Sequence, residues 1–320
     1  MQQELKYIYQ IYEDGSFSKA ADHLFISQPA LSIAIQKIES SIGMPLFDRS
    51  HRPLRLTSAG ELYIRMIKKI RGLEHDLDQQ IQDIQQLNTG SICIGGSHYV
   101  NAYILPEIVT DFSRDYPGIS IDMLEESSDV LGEMLAERKI DLTFSCDPKL
   151  VKRFKQYPFF LDHILLAVPE NYSINSQLSG LSLTGTDILR GKHLTDTCPT
   201  VSLNNFRDLE FIILTPGNNL YQRAIQLFES AGFKPKIKME QSQLATAYHL
   251  AEAGFAATFV SDRMIQKKEA SLLFYKIDSD LCRRMFYALV PHENYTSIPV
   301  QKFITFYRDS RLHMTYSHIR

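Results

Sequence analysis

Between residues 27 and 71 the chain carries eight cationic side chains, Lys37, Arg49, Arg52, Arg55, Arg65, Lys68, Lys69 and Arg71, against three acids, Glu39, Asp48 and Glu61. The whole protein has a formal charge of −3, so this is a local patch of opposite sign, the signature of a surface addressed to a polyanion such as nucleic acid. Within it Gln28, Ser32 and Gln36 recur on one side of a helical repeat and offer the amide and hydroxyl groups that hydrogen-bond base edges. Pro29 and Ile33 share that side. Ile33 either meets a thymine methyl or packs on the segment that follows. Ser27, Lys37, Arg49, Arg52 and Arg55 are expected on the phosphate backbone, where they position a helix without reading sequence.

A second group of side chains lies far downstream, where short β-type runs end: Ser97, His98 and Tyr99; Ser127 and Ser128; and Thr215, Gly217 and Asn218. Hydroxyls and exposed backbone N–H groups at such ends suit a carboxylate or another small anion, although each Ser or Thr by itself could be an ordinary helix cap. His98 would add a charge that varies near neutral pH. No catalytic residue is assigned: the chain has no P-loop, no G-x-G-x-x-G, no H-E-x-x-H and no G-x-S-x-G elbow. Cys93, Cys146, Cys198 and Cys282 are widely spaced, with no metal-ligand pattern and no resolving pair, and read as buried small hydrophobes. Neither a metal nor a cofactor is expected.

The elements that must hold these groups are legible from periodicity. Leu31, Ile35, Ile38 and Ile42 form the buried stripe of a helix that starts at the Ser27 cap, with Pro29 in its first turn. Leu5, Ile8, Ile11 and Tyr12 mark a first helix ending at Asp14-Gly15, and Ser16 can cap a second over 17–24. Two short helices joined tightly, the later one with a polar outer face, make a helix-turn-helix. Residues 44–57 then predict a small β-wing carrying Arg49, Arg52 and Arg55. Ser58 and Glu61 stand at capping-box spacing and open a long helix to about residue 87. Its stripe of Leu62, Met66, Ile70, Leu73, Leu77, Ile81 and Ile84 is expected to pair with the same helix of a second subunit, or alternatively to lie on the C-terminal domain.

At 320 residues, 44% hydrophobic and 22% charged, the chain is long enough for two or three globular domains. Its N-terminal residues include Glu4, Lys6, Glu13, Asp14 and Lys19 without an apolar run, and no stretch approaches 18 apolar residues, so a cytoplasmic location away from any membrane is expected. Beyond Asn88-Thr89-Gly90, short β-type runs alternate with helical patterns, which implies α/β architecture with parallel strands.

Four blocks now stand in order: Gly15-Ser16-Phe17-Ser18-Lys19-Ala20-Ala21, Ser27-Gln28-Pro29-Ala30-Leu31-Ser32, Leu46-Phe47-Asp48-Arg49, and Leu56-Thr57-Ser58-Ala59-Gly60. At their spacing they resemble the N-terminal signature of LysR-type transcriptional regulators. Gly232-Phe233-Lys234-Pro235 and Ala253-Gly254-Phe255-Ala256 continue the resemblance through the C-terminal part. Ile33 departs from it, standing where that family often has a basic or polar residue. The resemblance implies a winged helix-turn-helix over 1–58, a linker and dimerisation helix over 59–88, and an effector-binding domain over 89–311, followed by a tail, 312–320. That domain would have the fold of a periplasmic solute-binding protein: subdomain I from about 89–163 and 268–311, subdomain II from about 164–267, joined by crossovers near 161–168 and 264–272. Residues 171–205 exceed the family's usual connection and stay unassigned.

By the same analogy the effector loops hold Ser97, Ser127, Thr215 and Ser261. The implied function is a sequence-specific DNA-binding regulator whose small, anionic effector changes the geometry of paired DNA-binding modules. Its partners would be double-stranded DNA, the effector, further copies of the chain in a homodimer or homotetramer, and RNA polymerase. The competing classes are an enzyme, opposed by the missing motifs, and a solute-binding protein, opposed by the basic helix-turn-helix.

Overall fold

The protein is described from a computed structural model that covers residues 3–51, 53–85, 89–266, 271–292 and 295–309. It divides into two compact units, one ending at Gln85 and the other beginning at Gln86.

In the first unit, α1 (Gln3–Asp14), α2 (Phe17–His23) and α3 (Gln28–Ile42) pack around Ile8, Ile11, Leu31 and Ile35, all fully buried. The backbone N–H of Ala30 donates to the Ser27 hydroxyl at 3.4 Å, and α3 closes on Gly43 in the left-handed conformation (φ 71°) that favours glycine. Two short antiparallel strands, β1 (Phe47–Asp48) and β2 (Arg55–Leu56), form the wing, with Phe47 opposite Leu56. Glu39, late in α3, fastens that wing: its carboxylate accepts from the backbone N–H of Leu46 at 2.8 Å and of Phe47 at 3.4 Å.

The long helix α4 (Ser58–Gln85) follows. At 1.5 Å per residue its 28 residues extend about 42 Å. Thr57 provides its side-chain cap, one residue before the Ser58 expected from the capping-box spacing. The Thr57 hydroxyl accepts from Gly60 N–H at 3.1 Å and donates to the Pro45 carbonyl at 2.6 Å, tying helix start to wing. Gly60 is required there, since a Cβ on it would lie 2.1 Å from the Leu46 carbonyl oxygen. Ile64 and Ile67 are buried in the helix-turn-helix core, whereas Leu62, Met66, Leu73, Leu77, Ile81 and Ile84 are exposed and Ile70 is half-buried. The helix thus carries two apolar stripes, of which the sequence reading identified only the outward one.

In the second unit, β3 (Gly90–Gly96), α5 (His98–Tyr103), α6 (Leu105–Asp115), β4 (Ile119–Glu125), α7 (Ser128–Ala136), β5 (Leu142–Ser145) and α8 (Pro148–Arg153) alternate as strand and helix. Then β6 (Lys155–Pro169) runs through both halves of the unit. Its first part pairs with β11 (Arg283–Val290) and its second with β9 (Ala257–Ser261) and β10 (Leu272–Tyr275). Between β6 and β9 lie α9 (Ile174–Gln177), α10 (Gly185–Leu189), β7 (Glu210–Leu214), α11 (Asn219–Ser230), β8 (Lys236–Gln241) and α12 (Leu244–Glu252). The strand order is β4-β3-β5-β11-β6-β9-β7-β8, with parallel pairing among β3, β4 and β5 and among β7, β8 and β9. A final helix, α13 (Ile298–Asp309), packs Phe303 on Phe112 and Tyr307 on Phe159.

One boundary differs from the sequence expectation, and one unassigned stretch acquires a structure. β10 pairs Leu272 with Pro169 and Tyr275 with Leu166, so it belongs to the second half, and the chain returns to the first half after Tyr275 instead of near 264–272. An apolar run of four residues is a strand in either half, and only its register decides which. Residues 171–205 form a folded cover over β10. Asn175 donates to the Pro169 and Glu170 carbonyls at 2.8 and 2.9 Å and accepts from Tyr275 OH at 2.7 Å, while Leu183 pairs with Phe274 and Val201 with Ile277.

Candidate nucleic-acid interface and interior cavity

On α3, Gln28, Pro29, Ile33, Gln36 and Lys37 are exposed and Ser32 is half-exposed. Ile33 is 53% accessible, so it does not pack on the wing. Gln28 donates from Nε2 to the Ser32 hydroxyl at 2.9 Å, which ties the exposed amide to the helix face. Ser27 is occupied as the cap of α3 and remains exposed.

On the wing, Arg55 is exposed. Arg49 is exposed too, but its guanidinium lies 4.6 Å from the Phe17 ring centroid and 3.4 Å from Glu39 Oε2, so its direction is set by protein groups. Arg52 lies outside the described residues. One exposed group escaped the sequence reading: Phe25, 95% accessible, sits in the turn between α2 and α3 with φ +55°, a conformation that non-glycine residues rarely adopt.

In the second unit a cavity of about 590 Å³ opens beyond the carboxyl ends of β3, β4, β5 and β7, where ligands of α/β sheets bind. Ser97, His98, Tyr99, Ser127, Ser128, Thr215, Gly217 and Asn218 all line it, brought from three separate loops. Ser97 and Ser127 stand at the starts of α5 and α7, yet neither hydroxyl makes a capping hydrogen bond. Asn218 does cap α11, accepting from Leu220 N–H at 2.9 Å. His98 faces Glu125, with Nδ1 3.2 Å from Oε2. Ser261 is fully buried and does not line the cavity. It stands behind the wall, because the last residue of β9 points into the sheet junction with β6.

At that junction is a network absent from the sequence reading. Asp162, fully buried in β6, accepts from Tyr99 OH at 2.6 Å, from the Ser261 hydroxyl, and from Arg284 Nε at 2.5 Å. Arg284 is 5% exposed and borders the cavity, with its guanidinium 5.1 Å from the Phe286 ring centroid. Burial would lower the basicity of Arg284; Asp162 more than reverses this, so the cation is held charged. Burial, reinforced by the Asp162 charge, pushes the Tyr99 hydroxyl well above its ordinary pKa, and Tyr99 remains a neutral donor. Arg284, paired with Asp162, lines the same cavity as the Ser97 and Ser127 hydroxyls, and guanidinium and hydroxyl donors together suit an anion. Asp162 interrupts the apolar run of β6, where an ionised side chain must have a partner, but Arg284, at the start of β11 beside Arg283, carries no local signal that it is that partner.

Among the four cysteines, Cys146 borders the cavity with its thiol 3.1 Å from Asn219 Oδ1, and burial pushes the Cys282 thiol up to about 12. No helix of the described residues is long and apolar enough to cross a membrane.

Comparison with known proteins gives one consistent answer. Residues 2–61 match the bacterial regulatory helix-turn-helix protein, lysR family, and residues 85–311 match the LysR substrate binding domain. An uncharacterised HTH-type transcriptional regulator, YcgK of Bacillus subtilis (strain 168), is 27% identical over 308 residues, covering 96% of this chain and 93% of that relative. A probable RuBisCO transcriptional regulator of Cyanidioschyzon merolae is 27% identical over 302 residues, covering 92% and 93%. The fold is shared with CbnR, a LysR family transcriptional regulator. The CbnR crystal structure superposes with a TM-score of 0.60 at 20% identity, over 96% of this chain and 97% of that one. Full-length CbnR complexed with its target DNA gives 0.61, over 96% and 98%. The chain belongs to the LysR family of helix-turn-helix transcriptional regulators, with a DNA-binding module followed by an effector-binding domain.

Proposed function

We propose that α3 reads a DNA major groove through Gln28, Ser32, Ile33 and Gln36, with Pro29 against the bases. Ser27, Lys37, Arg49, Arg52 and Arg55 hold phosphates, and the cavity of the second unit takes a small carboxylate that sets the regulator's response. The observation that carries the effector assignment is Arg284, a buried and permanently charged guanidinium at the wall of a cavity whose Ser97 and Ser127 hydroxyls are free of capping duty. Two copies paired through the exposed stripe of α4 would read half-sites about one helical turn, roughly 34 Å, apart, and pairs of dimers would read more. Such a regulator acts in the cytoplasm and without catalysis of its own, through RNA polymerase. An effector shifts regulation only if it prefers one arrangement of the paired modules over another.

The direct test is a thermal-shift screen of small carboxylates against their neutral amides. Carboxylates should raise the melting temperature where the matched amides do not, and Ser97→Ala and Ser127→Ala should each reduce the shift. Equal shifts from acid and amide would reject an anion site.

A further inference from the structure

Successive residues of a strand face opposite ways, and at the β6–β9 junction this places a second polar cluster behind the first. Asp162 and Ser261 serve the cavity side; their neighbours His163 and Asp262 meet on the other side, where His193 joins them from the cover of residues 171–205. His193 Nε2 lies 2.9 Å from Asp262 Oδ2, and His163 Nδ1 lies 3.2 Å from the same oxygen. The His163 backbone N–H donates to the other carboxylate oxygen at 3.2 Å. The three donor atoms lie within 4.8 Å of one another.

The burial is asymmetric. The Asp262 side chain is inaccessible and that of His193 is 1% exposed, whereas His163 is 15% exposed and gives the cluster an edge toward solvent. Among the described residues His193 Nδ1 has no hydrogen-bond partner, and Nε2 carries the ring's polar contact. The cluster presents a buried carboxylate flanked by two imidazole nitrogens, the donor set of many transition-metal sites.

Metal–ligand bonds of about 2.0–2.1 Å put tetrahedral donors about 3.3 Å apart, close to the two separations found here. Two nitrogens and one oxygen suit a borderline ion such as Zn²⁺ better than Ca²⁺ or Mg²⁺, which take oxygen ligands. We propose that His163, His193 and Asp262 form a binding site for a divalent transition-metal ion, with Zn²⁺ best matched, that ties β6 and β9 to the cover formed by residues 171–205. The ion would bind next to Asp162 and Ser261, the supports of Tyr99 and Arg284 at the cavity, so its presence is expected to stiffen the cavity wall.

The test uses the full-length protein stripped with a chelator and titrated with Co²⁺ as a spectroscopic probe and with Zn²⁺ in competition. The expected result is one Co²⁺ per chain with visible d–d absorption, displaced by Zn²⁺, and a higher melting temperature with the ion. His163→Gln and His193→Gln should each weaken binding by at least the roughly 10- to 100-fold that loss of a supporting group costs. His163→Gln is the decisive variant, because the position is partly exposed and the amide can still donate to Asp262, so the fold is retained. His249→Gln, on the surface beside Glu252, should leave binding unchanged. Failure to bind Co²⁺ or Zn²⁺, or binding that survives both variants unchanged, would overturn the proposal.

Discussion

The pair Asp162 and Arg284 makes a quantitative prediction. Both side chains are within 5% of complete burial, Arg284 Nε is 2.5 Å from Asp162 Oδ2, and the carboxylate also accepts from Tyr99 and Ser261. Asp162→Asn is nearly isosteric, and its amide oxygen can still accept from Tyr99 and Ser261. What it removes is the negative charge opposite Arg284, leaving a buried guanidinium uncompensated. Breaking a buried pair in this way costs about 3–5 kcal/mol. In a unit of this size that corresponds to a fall in melting temperature of about 10 °C. Replacing both partners, Asp162→Asn with Arg284→Met, removes the stranded charge, so the double variant should be more stable than the sum of the single effects predicts, by about 2 kcal/mol or more. The protein has no tryptophan, so urea unfolding followed by far-UV circular dichroism is the suitable assay. A single-variant cost below about 1 kcal/mol, or single effects that simply add, would refute the pairing described here.

Other expectations concern the remaining supports of the two sites. Gly60→Ala should destabilise the DNA-binding unit by about 2 kcal/mol or more in a thermal melt, because the added methyl meets the Leu46 carbonyl; a neutral or stabilising result would mean that the wing can retreat. Leu73→Glu combined with Leu77→Glu should shift the protein toward monomer in sedimentation equilibrium, since both residues are exposed on the outward stripe of α4; unchanged association would place the self-interface elsewhere.

Asp187 closes a capping box with Thr184 at α10. The Thr184 backbone N–H lowers its pKa, partial burial opposes this, and the Thr184 hydroxyl and Lys192 lower it further. The folded pKa therefore lies below the unfolded one. The carboxylate's contribution is present above about pH 4 and is lost as pH falls through the folded value. Asp187→Asn should cost about 1 kcal/mol near neutral pH, and the difference from wild type should shrink in acid; a gap that persists at low pH would contradict the cap.

What could be read from the sequence was whatever repeats at a local period. The stripe of Leu31, Ile35 and Ile38 and the Ser27 cap fix α3 within a few residues, and the three loops that line the cavity follow from where strands end. The cap of α4 fell on Thr57 instead of Ser58 because the wing contributes: Thr57 is held by the Pro45 carbonyl, a contact from 12 residues upstream. Ile64 and Ile67 were overlooked because the outer stripe beside them is equally regular.

The polar networks were invisible for a different reason. Asp162 and Arg284 are separated by 122 residues, and His193 and Asp262 by 69; only the pairing of β6 with β9 and β11 brings them together. The same applies to β10, whose side of the molecule is decided by its register with Leu166–Pro169 and not by its own composition. Ser261 was placed at the effector by analogy, and the structure shows it supporting Asp162 and Tyr99 from behind.

The proposal that α3 reads bases while the wing holds phosphates separates two kinds of contact that respond differently to sequence and salt. Fluorescence anisotropy across a salt series, comparing DNA sequences selected by the protein from a random library with bulk DNA, tests it for wild type, Gln28→Ala and Arg55→Ala. Gln28→Ala should lose about 1–3 kcal/mol on the selected sequence and little on bulk DNA, whereas Arg55→Ala should weaken both alike and flatten the log–log salt slope by about one. Equal weakening of both DNAs by Gln28→Ala, or a wild-type protein that prefers neither DNA at any salt concentration, would contradict base reading by α3.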